Sequence, residues 1–177
     1  MTNAEAAGRT AEPRPSKPSL PPGEWYAGLP KTPTSADLVI RDPDGRVLFC
    51  RTTYRRTWWV IGGTAEAGES PAACAAREGR EELGIAPRIG RLLVVHHQVR
   101  VNLQMLSFAF DAGVIDPDLS RLVLDPDELT EVGWFPPDRL PADLVPWHAR
   151  RYRAALDALQ DGSTAYLEDV EPDRTVH

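Results

Sequence analysis

The sequence contains few cysteines and no long apolar run, and both shortages exclude classes of protein. Only two of the 177 residues are cysteines, Cys50 and Cys74, which is too few for the disulfide framework of a small secreted domain. No apolar run approaches the roughly 20 residues that cross a bilayer, and residues 1–22 lack the apolar centre of a secretory signal. We therefore expect a cytoplasmic protein without a membrane partner, whose reduced thiols serve as small apolar side chains.

Lysine is also scarce, because 18 of the 20 basic residues are arginines, and the 26 acidic residues give a formal net charge of −6. General binding to nucleic acid or to an anionic membrane needs a basic surface, so this balance argues against both. Three arginines that lie close together, Arg150, Arg151 and Arg153, are interpreted as a solvated helix face. We therefore expect no nucleic-acid partner.

Proline and charge divide the chain into three parts. Five of the 17 prolines lie between positions 13 and 22, and such a segment buries too little apolar surface to offset the entropy lost on ordering. We interpret residues 1–22 as a flexible tail and residues 23–160 as one folded domain. Residues 161–177 contain five acids and one arginine, and we interpret them as an acidic C-terminal tail.

The central part alternates strand and helix patterns. Two apolar runs at 36–41 and 46–52 flank the sequence Asp-Pro-Asp-Gly, which is typical of a hairpin. Further strands are predicted at 58–61, 89–99, 103–114 and 131–135, and helices at 70–83 and 146–160. Strands mixed with two helices predict an α/β fold in which a sheet lies between helices.

The most informative stretch, at positions 62–85, reads GGTAEAGESPAACAAREGREELGI. Glu78, Glu81 and Glu82 are spaced i, i+3 and i+4, so their carboxylates lie on neighbouring turns of one helix, where like charges repel. Such a cluster is either a solvated acidic face or a site for a divalent cation, since Mg²⁺ and Mn²⁺ prefer hard oxygen ligands. The glycine-rich loop before the helix favours the cation site, because small residues let a charged ligand approach closely.

This stretch resembles the Nudix box, G-x5-E-x7-R-E-U-x-E-E-x-G-U, in which U is a bulky apolar residue. Ile85 takes the final apolar position, and the seven fixed positions are occupied by Gly63, Glu69, Arg77, Glu78, Glu81, Glu82 and Gly84. Two residues depart from the family pattern. Gly79 stands at the first U, where we expect it to allow close packing of the backbone, and Ile61 replaces a proline found in many members.

The resemblance implies a fold and a reaction. The fold is a Nudix-type α/β/α sandwich with a mixed β-sheet. The reaction is hydrolysis of a pyrophosphate bond in a nucleoside diphosphate linked to another moiety, as in a nucleoside triphosphate, a nucleotide sugar or ADP-ribose. The partner is then a small diphosphate substrate, and homodimers are common for this fold. Two alternatives stay open: a Nudix-like nucleotide sensor without turnover, and a diphosphate isomerase, which would need a reactive cysteine.

The resemblance also implies roles for residues of the box. Glu81 and Glu82 would bind Mg²⁺ or Mn²⁺, Glu78 would be a ligand or the general base, and the carbonyl of Gly62 would be a further ligand. Four other box residues would brace the loop against the helix: Gly63, Glu69, Arg77 and Gly84.

Residues outside the box complete the expected site. A general base outside the box is common in this family, and Glu128 and Glu131 are the candidates here. Aromatic side chains suit a nucleobase and arginines suit phosphate. On that ground the candidates for substrate binding, set against roles in the core or in solvent, are Arg55, Arg56, Trp58 and Trp59.

Overall fold

The computed structural model describes residues 21–100 and 103–170. The chain divides into two units, residues 1–31 and 32–177, and each is described by itself. In the first unit, a short helix, α1, spans Pro22–Ala27, and the rings of Trp25 and Tyr26 meet edge to face with centroids 4.9 Å apart. The flexible tail predicted for residues 1–22 lies almost entirely outside the described residues.

The second unit contains the strands and helices that the sequence predicts, with ends shifted by a few residues and with two strands more. In chain order they are β1 (Thr34–Arg41), β2 (Val47–Thr52), β3 (Trp58–Trp59), β4 (Gly62–Thr64), α2 (Pro71–Leu83), β5 (Leu92–Arg100), β6 (Leu103–Val114), a 3₁₀ turn (Leu119–Arg121), β7 (Leu129–Phe135), α3 (Pro146–Asp161) and β8 (Ala165–Val170). Within the described ranges, no helix has the length and apolar character needed to cross a bilayer.

The strands form one mixed sheet in the order β3-β2-β1-β6-β5-β8, with β4 paired to β1 and β7 paired to β2. The pairs β1–β6 and β5–β8 are parallel, and the other pairs are antiparallel. The mixed sheet expected from the sequence is therefore confirmed.

Each face of the sheet is covered by one long helix. Side chains of β1 alternate between the faces, as the two-residue period of a strand requires. Leu38 and Ile40 pack in the cluster that contains Ala75 of α2, whereas Val39 packs with Tyr152 and its neighbours on α3. A sheet buried on both faces between α2 and α3 is the expected α/β/α arrangement.

Strand β8 corrects the predicted C-terminal boundary. It runs parallel to β5, with Leu167 opposite His96 and Glu168 opposite His97, so residues 165–170 belong to the sheet and not to an acidic tail. An edge strand gains its backbone hydrogen bonds from one neighbour and commonly carries charged side chains. The low apolar content that suggested a tail is therefore compatible with a strand in this position.

Gly79 lies where α2 packs closely on its surroundings, which confirms the expectation drawn from its departure from the box. A Cβ at this position would lie 2.5 Å from Cγ of Pro87 and 3.1 Å from Cδ1 of Leu38. Neither the proline ring nor the core leucine can move away freely, so a side chain here would overpack the helix against the sheet.

We expect Gly79→Ala to lower the free energy of unfolding by about 1–3 kcal/mol through overpacking, although alanine is the better helix former by about 1 kcal/mol. Urea unfolding measures the difference. Arg80→Ala, at an exposed position of the same helix, is the control and should stay within about 0.5 kcal/mol of the parent. A Gly79→Ala variant more stable than the parent would contradict the packing argument.

Candidate active site

Helix α2 is fixed at both ends, so the carboxylates that it carries are held in place. At its start, the Ser70 side chain accepts a hydrogen bond from the backbone N–H of Ala73 at 3.2 Å, and Pro71 occupies the first turn. At its end, Gly84 adopts the left-handed conformation with φ 66°, which glycine tolerates without strain. The helix predicted at 70–83 is thus confirmed.

The three carboxylates of α2 do not share one environment, which corrects the expectation of a single acidic face. Glu78 and Glu82 are buried, with 8% and 5% of their surface exposed, whereas the side chain of Glu81 is 52% exposed. Glu78 and Glu82 are four residues apart, on the side of the helix that packs toward β4, and Glu81 lies between them on the side that faces solvent. Two acids are therefore held inside the structure, and one lies at its rim.

Glu82 is a buried carboxylate beside the glycine-rich strand. The backbone N–H of Gly62 donates a hydrogen bond to its Oε2 at 2.8 Å. The pKa of Glu82 is raised to about 8, mainly by burial; the Gly62 hydrogen bond opposes the rise, and the charges of Glu78, Glu128 and Asp37 contribute to it. Negative charge therefore accumulates around Glu82, which is an environment that a cation would stabilise.

Two consecutive glycines let β4 pass between β1 and a carboxylate. A Cβ at Gly63 would lie 2.3 Å from Oε1 of Glu78, and a Cβ at Gly62 would lie 2.2 Å from the carbonyl oxygen of Ala36. Gly62 also has φ 134°, a conformation that other residues rarely adopt. The glycines are thus required by close approach on both sides of the strand.

Arg77 connects the loop before α2 to the helix. Its guanidinium contacts Oε1 of Glu69 at 3.1 Å, donates to the carbonyl of Thr64 at 3.1 Å, and pairs with Glu78 at 2.8 Å and with Glu81 at 2.7 Å. The hydrogen bond from Arg77 also holds the pKa of Glu69 below its ordinary value. These contacts are what a bracing role for Arg77 and Glu69 requires.

Burial is the main cause of the raised pKa of Glu78, and the positive charge of Arg77 opposes it. Two carboxylates that are both buried and mutually repelling form a donor set suited to Mg²⁺ or Mn²⁺. Within the described ranges, no three His, Cys, Asp or Glu side chains converge closely enough to enclose a metal ion. Mg²⁺ usually needs no such enclosure, because one or two carboxylates, water and substrate phosphate complete its coordination. The residues therefore fit a metal that is held jointly with the substrate.

The two candidate bases outside the box lie in different surroundings. The charge of Glu128 is one cause of the raised pKa of both Glu78 and Glu82, so Glu128 lies close to the buried acids. Glu131 lies opposite Arg51 in the β2–β7 pair and forms an ion pair with it at 3.4 Å. The charge of Glu128 thus acts on the buried acids, whereas the carboxylate of Glu131 is paired with Arg51.

A cavity of about 350 Å³ adjoins the glycine-rich strand. Trp59 forms part of its wall, with the Arg55 guanidinium 3.9 Å from the ring centroid and the His148 ring edge-on at 4.3 Å. Other residues that line the cavity are Ser35, Asp37, Tyr54, Val60, Gly62, Gly63, Thr64, Gln98, Met105, Ser107, Trp147 and Arg151. Arg55 and Trp59, two of the four predicted substrate-binding residues, therefore lie together in the wall of a cavity that Gly62 and Gly63 also line.

Trp58 and Arg56 do not line this cavity. The ring of Trp58 packs edge to face on Phe135 at 4.7 Å, and the backbone carbonyl of Arg56 accepts a hydrogen bond from Arg51 at 2.6 Å. Trp58 and Trp59 are neighbours on β3, and successive side chains of a strand point to opposite faces. Only one of the two tryptophans can therefore reach the cavity.

Sequence reasoning missed the polar floor of the cavity, which is formed by Asp37, Gln98 and Arg151. Arg151, which we expected in a solvated face, is 1% exposed, pairs with the carboxylate of Asp37 and donates to Oε1 of Gln98 at 3.1 Å. One signal was available, because Asp37 stands inside an otherwise apolar strand, and a buried acid needs a basic or polar partner. The partner itself is 114 positions away and has no local signature.

Comparison with protein families extends the resemblance beyond the box. The sequence profile of the family described as NUDIX domain matches residues 31–155. The NAD-capped RNA hydrolase NudC of Shigella dysenteriae is 36% identical over 110 residues, which are 62% of this chain and 41% of that protein. The chain thus spans about two fifths of the length of this relative. The RNA pyrophosphohydrolase of Novosphingobium aromaticivorans is 26% identical over 160 residues, which cover 77% of this chain and 96% of that protein.

Comparison with solved structures agrees with the sheet and helix arrangement. A crystal structure of a UDP-X diphosphatase superimposes with a TM-score of 0.67 at 20% sequence identity, covering 84% of this chain and 75% of that one. At this level of identity the similarity establishes the fold alone.

Proposed function

Because the chain belongs to the Nudix domain family, we propose that it hydrolyses a pyrophosphate bond in a nucleoside diphosphate linked to another moiety, using Mg²⁺ or Mn²⁺. The observation that carries the proposal is the pair of buried carboxylates, Glu78 and Glu82, held against the glycine-rich strand beside a cavity. Buried acids are rare without a partner, and a divalent cation with a diphosphate is a partner of the right charge.

The residues of the box have different roles in this proposal. Glu81 and Glu82 would hold the metal ion, Glu78 would hold it or act as a base, and the carbonyl of Gly62 would be a further ligand. The bound ion would neutralise charge on the diphosphate and make water more acidic. Arg77 keeps the loop at a fixed distance from α2 through its contacts with Glu69 and Thr64.

Glu128 is the proposed general base. It is exposed, so water can reach it, and its charge influences both buried acids. In the reaction, the oxygen of a water molecule attacks phosphorus as Glu128 accepts its proton, and the bridging P–O bond breaks to release the second phosphate group.

The cavity supports a nucleoside as the recognised part of the substrate. Trp59 offers an aromatic surface for a base, and Arg55 lies beside it, within reach of a phosphate group. The polar floor formed by Asp37, Gln98 and Arg151 suits the hydrogen-bonding edges of a base and would be costly to cover with a prenyl chain. A nucleoside in this cavity leaves its diphosphate next to β4 and the acids of α2.

The alternatives differ from this proposal in testable ways. A sensor without turnover would not need all three acids of the box, and this chain retains them. An isomerase would need a reactive thiol, but Cys50 and Cys74 are both buried. Burial raises the pKa of the Cys74 thiol to about 11, which makes the reactive thiolate scarce at neutral pH.

The experiment is a release assay on the purified full chain with Mg²⁺ or Mn²⁺ and a chelator control. The substrates are nucleoside triphosphates, nucleotide sugars, ADP-ribose, dinucleoside polyphosphates and prenyl diphosphates. RNAs with NAD or triphosphate 5′ ends are added, since relatives are named for such RNAs. We expect metal-dependent cleavage of at least one nucleoside-containing substrate. Metal-assisted nucleotide binding without any turnover would contradict the hydrolase and support the sensor.

The two candidate bases give a matched pair of variants. We expect Glu128→Gln to lower kcat by about 10²–10⁴-fold, the usual contribution of a positioned base, and Glu131→Gln to stay within about twofold of the parent. Steady-state kinetics on the substrate found above measure both. Full turnover by Glu128→Gln would exclude it as the base, and a selective loss in Glu131→Gln would transfer the role to Glu131.

A further inference from the structure

A line of polar contacts runs from the edge strand β8 to the floor of the cavity. Asp169 of β8 contacts Nε2 of His96 on β5 at 2.9 Å. Nδ1 of the same histidine accepts a hydrogen bond from Nε of Arg151 on α3 at 3.3 Å. Arg151 in turn pairs with Asp37 on β1 and donates to Gln98. Four elements of the fold therefore meet through one buried arginine.

The donors and acceptors in this line determine the form of His96. The nitrogens of an arginine only donate hydrogen bonds, so Nδ1 of His96 must act as an acceptor and carries no proton. The proton of the neutral ring then lies on Nε2, where it is donated to the Asp169 carboxylate. Without an acceptor at position 169, the ring could take the other tautomer, which would direct an N–H at the N–H of Arg151.

Arg151 determines the shape of the cavity floor. It is 1% exposed, yet it lines the cavity together with Asp37, Gln98 and His148. The backbone of Asp37 pairs with that of Gly62, so the partner of the arginine lies on the strand next to the glycine-rich segment. Displacement of Arg151 would therefore alter the surface on which a nucleoside rests.

We propose that Asp169 is a positioning residue for nucleoside binding, because it fixes the tautomer of His96 and thereby the place of Arg151 in the cavity floor. The identity of the ligand rests on the proposed function. Holding β8 in the sheet does not require the Asp169–His96 contact, since six residues of β8 are already in register with β5. The other carboxylate oxygen of Asp169 pairs with Arg150. A substitution of Arg150 therefore removes this second contact of Asp169 and serves as the control.

The experiment compares Asp169→Ala with Arg150→Ala in the full chain. Calorimetry measures the binding of nucleoside monophosphates, which contain no pyrophosphate bond, and of inorganic pyrophosphate with Mg²⁺. We expect Asp169→Ala to weaken nucleoside monophosphate binding about tenfold and to leave pyrophosphate binding unchanged. Arg150→Ala removes the outer ion pair and a hydrogen bond to the carbonyl of Glu168, and it should leave both affinities within about twofold. ¹⁵N NMR of the imidazole should show the Nε2–H form of His96 in the parent and in Arg150→Ala, but not in Asp169→Ala.

Several results would overturn the inference. Parent-like nucleoside affinity in Asp169→Ala would do so, as would an equal loss in Arg150→Ala, since the cause would then be the anchoring of β8. If Asp169→Ala does not fold, Asp169→Val is used, whose side chain has no hydrogen-bond acceptor and is β-branched, as suits a strand. That variant should bind nucleoside monophosphates less tightly than the parent, and parent-like affinity would again overturn the inference.

Binding and turnover separate this inference from the proposed function. A parent protein that binds nucleoside monophosphates but cleaves no substrate would refute the hydrolase and leave the role of Asp169 intact. A parent that cleaves its substrate but binds no nucleoside monophosphate would refute the assignment of the cavity and the positioning role with it.

Discussion

Glu82→Gln is expected to lower metal-dependent turnover by about 10²–10³-fold, which corresponds to roughly 3–4 kcal/mol of transition-state stabilisation. The amide keeps an oxygen that can accept the Gly62 hydrogen bond but removes the charge that would bind the metal. The measurements are kcat with Mg²⁺ or Mn²⁺ and the rise in melting temperature that the metal produces. In the variant, kcat should fall by this factor and the metal should no longer raise the melting temperature.

Unfolding would not account for that loss. The pKa of Glu82 is raised to about 8, above its value in the unfolded chain, so folding near neutral pH without metal forces the carboxylate to take up a proton, which opposes folding. The neutral variant should therefore melt no lower than the metal-free parent. Glu66→Gln, at an exposed loop position, is the matched control and should keep full turnover. An active Glu82→Gln enzyme would remove Glu82 from the metal site.

Arg151→Leu is expected to lower the free energy of unfolding by about 3–5 kcal/mol, because it leaves the carboxylate of Asp37 buried without its partner. For a domain of this size the melting temperature should fall by about 10 °C or more. Replacing both residues, as in Asp37→Leu with Arg151→Leu, removes the unpaired charge and should recover most of the loss. Arg150→Ala, on the exposed side of the same helix, should change the stability little.

The pH dependence of the Arg151→Leu defect follows from the pKa of Asp37. Burial already raises this pKa, and Arg151 opposes the rise, so loss of the arginine raises the pKa further. A carboxyl group with a raised folded-state pKa opposes folding above its unfolded-state pKa, and the penalty shrinks as the pH falls toward that value. The stability difference from the parent should therefore narrow in acid. A stability difference between Arg151→Leu and the parent that stays constant down to pH 5 would show that the unpaired carboxylate of Asp37 is not its cause.

The sequence predicts those parts of the site that depend on local spacing. Arg77, Glu78, Glu81 and Glu82 lie within two turns of one helix, whose start and stop signals are local as well. Spacing could not predict which acids are buried, because that depends on the side of α2 against which β4 packs. The burial of Glu78 and Glu82, with Glu81 at the rim, is therefore a property of the tertiary structure.

The remaining parts of the site depend on contacts between distant residues. Asp37 and Arg151 are 114 positions apart, and neither residue's neighbours reveal the other. Arg151 belongs to a helix with several arginines, most of which are exposed, so composition alone suggests solvent. Strand β8 was missed for a related reason, since its place is determined by the free edge of β5 and not by its own apolar content.

The parallel pairing of β8 with β5 also has a consequence for the order of protein synthesis. The ribosome makes β8 after every other described element, and domains form as their parts emerge. A nascent chain that ends before residue 165 already contains α2 with its acids, yet His96 still lacks the carboxylate of Asp169. The acids of α2 that form the proposed metal site can therefore be in place before the cavity, whose floor is completed only when β8 has been translated and joins the sheet.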